Sequence, residues 1–358
     1  QYDRMGREVG SVAVVHSAGV STETMPDGEI VTSNLNKWTT MVREGKTFND
    51  VGLVAGYVEG SFDGTTLSLG GEETSWALLT EQNKRKVMEG TLKADEAVTL
   101  MNRSAMTYDR KGLVVGYKET NRELSSTLGH NRSVTRTDGD YNALHQLVGY
   151  QDESVDDAAP AVVETMTFSN GEFNGYGFLM KSHEIRAQAG ALVSRSEGDR
   201  TQSYDGEGRL RQDHSVMESD NGVTIEREYS VVSFNQLGRV SVDQTVTVQS
   251  GVDKAGTLAY SITTESNKSA QGYGKNGQLI HSKEVVVSSD RPDVTMTTLW
   301  NGGVFNGNNQ LTSYEEAKTE SNPAGTNQTL TQRSGITFDL KGRNTGYHNV
   351  FSGSADKI

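Results

Sequence analysis

The chain alternates apolar and polar residues in runs of about ten positions, the period-two pattern of half-buried β-strands. One such run extends from Val223 to Phe234 and the next from Arg239 to Val248. Val, Thr, Ser and Tyr are frequent in these runs, whereas signals for helices are weak. The pattern therefore predicts pairs of strands rather than helical segments.

A short motif separates the two runs of each pair. An aromatic residue is followed by Asp or Asn, two variable positions, usually Gly, one further variable position, and then usually Leu or Val. Ten copies begin at Tyr2, Phe48, Tyr108, Tyr141, Phe173, Tyr204, Phe234, Tyr273, Phe305 and Phe338, and most of them are about 32 residues apart.

The chemistry of the motif is that of a hairpin turn. An Asp or Asn side chain can accept hydrogen bonds from the backbone of its own turn, and Gly tolerates the positive φ that closes it. We predict that the following residues form the turns: Tyr2, Asp3, Gly6, Phe48, Asn49, Gly52, Tyr108, Asp109, Gly112, Phe173, Asn174, Gly177, Tyr204, Asp205, Gly208, Phe234, Asn235, Gly238, Tyr273, Gly277, Phe338, Asp339 and Gly342.

These observations predict an all-β fold in which tandem antiparallel β-hairpins form one array over residues 1–358. On the order of twenty strands cannot remain a flat open sheet, so we expect them to wind into an elongated solenoid-like or shell-like sheet. The chain opens on one motif and ends soon after another, which favours a segment of a longer array or a filament subunit.

Residues 62–103 interrupt the period. This irregular insertion contains Glu73 to Met88, where Trp76, Leu79 and Val87 are spaced loosely as in a helix. We expect a helix or a long loop there. Insertions in repeat proteins commonly lie on one exposed face, so the insertion is also a candidate binding element.

Composition restricts the possible functions. Hydrophobic residues make up 34% of the 358 residues, and Gly contributes 39, which favours a thin core. The formal net charge of −13 repels a phosphate backbone, so we expect no nucleic-acid partner. No run of apolar residues is long enough for a membrane helix, and the absence of Cys excludes disulfides and thiol chemistry.

The candidate chemical motifs favour structural explanations. Gly272 to Gly277 matches the dinucleotide pattern G-x-G-x-x-G, but it overlaps a motif and precedes a strand-like run. His183, His214 and His348 share one position of the repeat, where other copies have Val, Lys, Gln or Glu. We therefore predict neither a metal nor a cofactor, and no nucleophile motif indicates an enzyme.

One column of the repeat is rich in tyrosine, nine residues after the motif aromatic. Stacked strands would bring these tyrosines into a ladder that either binds sugar rings or stabilises the sheet by packing. We favour packing. The residues are Tyr57, Tyr117, Tyr150, Tyr314 and Tyr347.

The run from Tyr204 to Leu210, Tyr-Asp-Gly-Glu-Gly-Arg-Leu, resembles the YD repeat of the Rhs and Tc-toxin families. The copies at Tyr108 and Phe338 are close variants. The resemblance implies β-hairpins that coil into a spiralling sheet, which in those families forms a hollow shell around a toxic cargo domain. The spacing near 32, in place of about 20, and the Phe-Asn copies depart from that pattern.

From these features we expect a structural extracellular or cell-surface protein, which forms a fibre, stalk or surface layer by stacking of hairpin repeats and end-to-end association. Two alternatives remain at this point: an adhesin that binds glycans or other cells through the tyrosine column or the insertion, and an Rhs-like shell that encloses a toxin.

Overall fold

A computed structural model shows an all-β protein, which confirms the predicted fold class. It describes residues 1–25, 28–89, 91–92, 94–95, 98–124, 129–190, 194–252, 259–338 and 343–357. The strands are β1 (Ser11–Thr24), β2 (Ile30–Phe48), β3 (Val54–Asp63), β4 (Thr66–Leu69), β5 (Glu72–Ser75), β6 (Val98–Tyr108), β7 (Val114–Leu124), β8 (Gly129–Tyr141), β9 (Leu147–Asp156), β10 (Val163–Phe173), β11 (Leu179–Ala189), β12 (Ser194–Tyr204), β13 (Leu210–Ser219), β14 (Thr224–Phe234), β15 (Val240–Val252), β16 (Ala259–Tyr273), β17 (Leu279–Ser288), β18 (Arg291–Phe305), β19 (Leu311–Asn322), β20 (Gly325–Phe338) and β21 (Asn344–Lys357).

Nineteen of these strands form one continuous antiparallel sheet that does not close on itself. Each strand pairs with the next in the chain, and only the small β4–β5 hairpin is left out, because β3 pairs directly with β6. The motif turns among the described residues consequently lie along one margin of the sheet, which we call the turn rim. The other connections lie along the opposite margin, the loop rim.

The sheet winds back on itself and forms a seam where its later turns meet its first strands. The side chain of Leu237, at the tip of one motif turn, reaches Gly19 on β1. Asn36 N donates a hydrogen bond to Lys275 O (2.8 Å), and Tyr273 N donates to Ser33 Oγ (3.3 Å). The turn rim of the second winding therefore rests on the part of β1 and β2 that is close to the loop rim.

Polar contacts extend this seam beyond β2. Asn309 Nδ2 donates to Asp63 Oδ2 at 3.2 Å, and His281 Nε2 lies 2.6 Å from Glu29 Oε1. Strand β2 has 19 residues, whereas most of the others have 10 to 15. Its extra length supplies the surface on which the second winding rests.

The irregular insertion packs on one face of the sheet and forms the main apolar core. It comprises β4, β5, a 3-10 turn (Trp76–Leu78) and helix α1 (Glu81–Met88). Ten buried apolar residues meet there: Val42, Phe62, Leu67, Trp76, Leu79, Val87, Ala94, Val98, Leu100 and Leu124. Burying such a side chain stabilises a fold by about 1.5–3 kcal/mol.

The helix expected between Glu73 and Met88 is shorter than that range. Residues up to Ser75 belong to β5, because they pair with β4. Helix α1 begins after Thr80, whose Oγ1 accepts a hydrogen bond from Asn83 N at 3.2 Å and so caps the helix. Among the described residues, no helix has the length and apolar character that a membrane span requires.

Candidate functional site

Each described copy of the motif forms the same hairpin turn. In the copy at Tyr108, Gly112 N donates to Asp109 O (3.1 Å), and Asp109 N donates to Leu113 O (2.9 Å). Asp109 Oδ1 also accepts hydrogen bonds from Lys111 N and Leu113 N. This pattern is that of a type I turn closed by a bulge, with Gly112 at φ 82°.

The structure places the other predicted turn residues in equivalent positions. Side-chain oxygens of Asp3, Asn49, Asn174, Asp205 and Asn235 accept the same pair of backbone hydrogen bonds. The predicted glycines that have positive φ are Gly6, Gly52, Gly112, Gly177, Gly208, Gly238 and Gly277. The aromatics Tyr2, Phe48, Phe173, Tyr204, Phe234 and Tyr273 directly precede these turns. Phe338 ends β20, whereas Asp339 and Gly342 lie outside the described residues.

The aromatic residue of the motif connects neighbouring hairpins. Tyr141 Oη donates to Val114 O (2.6 Å), and Tyr273 Oη donates to Val240 O (2.9 Å). In both cases the acceptor lies six residues after the aromatic of the preceding copy. Where the aromatic is Phe234, the guanidinium of Arg209 covers the ring, with its carbon 4.3 Å from the centroid. The motif thus provides contacts between repeats as well as the turn.

The predicted tyrosine column lies on the face of the sheet opposite the insertion, and arginines alternate with its rings. Along the sheet the order is Arg43, Tyr57, Arg103, Tyr117, Arg136, Tyr150 and Phe168, which we call the arginine–tyrosine ladder. The face that bears it is the ladder face. The tyrosines do not stack directly on one another, because a strand that carries arginine separates each pair.

The ladder occupies the ring faces that a sugar would need. Tyr117 lies between Arg103 and Arg136, whose guanidinium carbons are 4.2 and 5.3 Å from the ring centroid. Cation–π contacts of this kind contribute about 0.5–2 kcal/mol each. Near the end of the sheet, Arg333 lies between Tyr314 and Tyr347, and Tyr347 is 54% exposed. The geometry of Tyr57, Tyr117 and Tyr150 is that of packing residues.

Carboxylates on neighbouring strands balance the arginines. Arg136 donates two hydrogen bonds to Asp152, and Arg103 is bound to Glu119. Burial alone would lower the pKa of the Arg103 guanidinium, but its hydrogen bond and attraction to Glu119 outweigh burial and raise that pKa. Burial raises the pKa of the Tyr117 hydroxyl. Arg103 therefore remains cationic and Tyr117 neutral near pH 7.

The ladder face opens into a groove where tyrosines are missing from the column. Ser182 and Asp213 take the tyrosine positions on β11 and β13. Small side chains, among them Ser196 and Ser215, line a depression of about 330 Å³ between β11 and β14. Its charged lining residues are Glu184, Arg186, Arg200, Asp213 and Arg227. Mixed charge over a small-residue floor can accommodate a polar group.

The histidine column lies on the opposite face. His183 Nδ1 hydrogen-bonds Asp199 Oδ1 (2.9 Å), and His214 Nε2 hydrogen-bonds Glu226 Oε1 (2.9 Å). In the part of the chain that the structure describes, no group of three or more ligating side chains is arranged to hold a metal ion. Gly274 and Gly277 form a hairpin turn that leads into β17, so the dinucleotide-like pattern precedes a strand.

No protein family model and no curated protein matches the chain. A solved structure that matches is the crystal structure of TcdB2-TccC3-TEV, with 10% sequence identity and a TM-score of 0.14. The match covers 96% of this chain and 23% of the other, so the chain spans less than a quarter of the length of that protein.

Proposed function

We propose that the chain is a structural repeat protein of the cell surface or the extracellular space, which forms a fibre, stalk or surface layer by stacking and end-to-end association. The observation that carries this proposal is the seam. Within one chain, the turn rim of the second winding already rests on the first winding, through Leu237, Tyr273 and Asn309. Contacts of the same kind between chains would extend the stack.

The two edge strands of the sheet support association. Strands β1 and β21 each pair on one side alone among the described residues. Proteins commonly protect such edges with Lys, Pro or short strands. Strand β1 has 14 residues without Lys, Arg or Pro, and it exposes Val12 and Val20 at 55% and 65%.

Electron microscopy and sedimentation of the full chain test this proposal. Filaments or layers are the expected result, with a mass that increases with protein concentration. A single species of monomer mass at every concentration, and isolated particles on the grid, would contradict it.

The winding supports a second candidate, a shell that encloses cargo as in the Rhs-like alternative. Strand β16 returns to β2 after twelve strand-to-strand steps. At about 4.8 Å per step, the twelve steps cover about 58 Å measured perpendicular to the strands. Because Tyr273 at the turn rim meets Ser33, far from the turn-rim end of β2, the strands are staggered and the path around one winding is longer than this distance.

Single cysteines distinguish the shell from the fibre, because the natural chain contains no Cys. Ser196 lies on the ladder face and Thr201 on the opposite face. If the ladder face lines an enclosed space, Ser196→Cys reacts with a small maleimide and not with a bulky polymer maleimide, while Thr201→Cys reacts with both. Equal labelling of both variants by the bulky reagent would exclude the shell.

A further inference from the structure

The tip of the motif turn is buried in one copy and exposed in several others. Three residues after the motif aromatic, Leu237 is half-buried because it packs against Gly19 across the seam. Asn235 of the same turn is only 5% exposed. At the equivalent position of four earlier copies, the exposed fractions are 71% for Met5, 78% for Val51, 79% for Leu144 and 88% for Tyr176.

These four exposed tips share one margin of the molecule. The motif turns that the structure describes lie on the turn rim, and the first winding contributes Met5, Val51, Leu144 and Tyr176. We call them the apolar tips. Isolated exposed apolar residues are ordinary on a protein surface, but their recurrence at one repeat position in four of the first five copies, with Lys111 in the third, indicates an interaction surface. The seam shows what such a tip binds, since Leu237 occupies the same position in the repeat.

We propose that the apolar tips dock on the loop rim of a second copy of this chain, as Leu237 docks on β1 within one copy. The inference rests on the proposed function and identifies the surfaces that join one chain to the next. The occupant is a second copy because the intramolecular seam already supplies both halves of the contact, a turn tip and the ladder face close to the loop rim.

Near the loop rim, β15 carries a glycine at the repeat position of Gly19, and the Tyr260 ring of β16 lies against this glycine and forms part of the surface. Gly19 lies 17 residues after Tyr2, and Gly251 lies 17 residues after Phe234. Both glycines are on the ladder face of a strand that follows a motif turn, since each is eight residues from a ladder-face position, Ser11 or Asp243. Ile225, on the neighbouring strand β14, is 39% exposed on the same face and adds apolar surface beside Gly251.

The two surfaces differ, so the contact is heterologous. A turn rim that binds a loop rim leaves a free turn rim at one end of every stack and a free loop rim at the other. Such a contact builds an open fibre or stalk unless the rotation between successive copies closes it into a ring. A contact between two like rims would instead stop at a dimer.

The test compares the full chain with the double variant Leu144→Ser/Tyr176→Ser. Lys111→Ser is the matched control, because Lys111 occupies the same turn position without an apolar side chain. Thermal melts first establish that all three proteins are folded. Analytical ultracentrifugation over a wide range of concentrations then measures the association constant.

We expect the double variant to associate at least about tenfold more weakly than the natural chain, while Lys111→Ser associates normally. Association that is unchanged in the double variant would overturn the tip assignment and leave end-to-end assembly standing. A natural chain that remains monomeric would overturn both proposals. Assembly that stops at a dimer would overturn the heterologous contact.

Discussion

The guanidinium carbon of Arg136 lies 3.8 Å from the centroid of the Tyr150 ring while the same guanidinium donates two hydrogen bonds to Asp152. A planar guanidinium can satisfy a carboxylate at its edge and an aromatic ring at its face simultaneously, which an ammonium group cannot. Arg136 also lies 5.3 Å from the Tyr117 centroid, so it joins three strands, its own and the two that flank it, as Arg103 does.

We predict that Arg136→Lys lowers the free energy of unfolding by about 1–2 kcal/mol, because both contacts depend on the planar fork. Arg110→Lys is the control, since Arg110 is exposed at a turn tip. Urea denaturation measures the difference. In a double-mutant cycle with Tyr150→Leu, a coupling energy near zero would contradict the stacking contribution.

Three glycines of the motif region should differ in their tolerance of alanine. Gly206 has open space and no positive φ, so Gly206→Ala should be neutral. Gly238 has φ 72° with room for a Cβ, and alanine there should cost about 1–2 kcal/mol. At Gly208, φ is 77° and a Cβ would overlap the Phe178 ring, so the loss should be largest.

Thermal melts of the three variants provide the ranking. Equal melting temperatures for Gly206→Ala and Gly238→Ala would show that positive φ at the fourth position does not limit stability.

The seam predicts a rescue experiment. A Cβ at Gly19 would overlap Leu237 Cδ2, so Gly19→Ala should destabilise the contact between the two windings. Leu237→Ala removes the overlapping methyl groups, and the double variant should recover part of the loss. Hydrogen exchange at Asn36 N, which donates to Lys275 O, reports on the seam directly. Exchange that is unchanged in Gly19→Ala would contradict the packing of the two windings.

Asp243 should make stability depend on pH. Burial raises the pKa of its carboxyl, and the hydrogen bond from Gln271 Nε2 (2.6 Å) offsets only part of that effect. A carboxyl whose pKa is raised on folding contributes stability below its unfolded pKa, and that contribution is lost as pH rises through the folded pKa.

We therefore predict that Asp243→Asn is more stable than the natural chain at pH 7 and that its advantage shrinks toward pH 4. The amide can still accept the hydrogen bond from Gln271. Melting temperatures of both proteins between pH 4 and 7 test this prediction. A difference in melting temperature that stays constant across the range would exclude Asp243 as a source of the pH dependence of stability.

The turns and the pairing of the strands were predictable because they depend on local chemistry. The Asx oxygen and the following Gly specify a hairpin without reference to the rest of the chain. The all-β fold then follows from alternation on both sides of each turn. The helix boundaries inside residues 62–103 were not predictable, because they depend on packing against Val42 and Leu100 of the sheet.

The arginines of the ladder were not recognised from sequence, although Arg43, Arg103 and Arg136 each lie five residues before a motif aromatic. In a regular strand, residues five apart face opposite sides. A bulge three residues before the aromatic brings the arginine and the aromatic to the same face of the sheet. Ala105 and Asp138 occupy that bulge with positive φ, so no glycine marks it in those copies.

The odd number of strands in the sheet has a consequence for any assembly. Because neighbours alternate in direction and the sheet contains nineteen strands, β1 and β21 run the same way. Copies that share one orientation can meet at these edge strands only as parallel strands, whereas an antiparallel junction would invert every second subunit. A fibre of copies in one orientation would consequently have a direction, and its two ends would elongate at different rates.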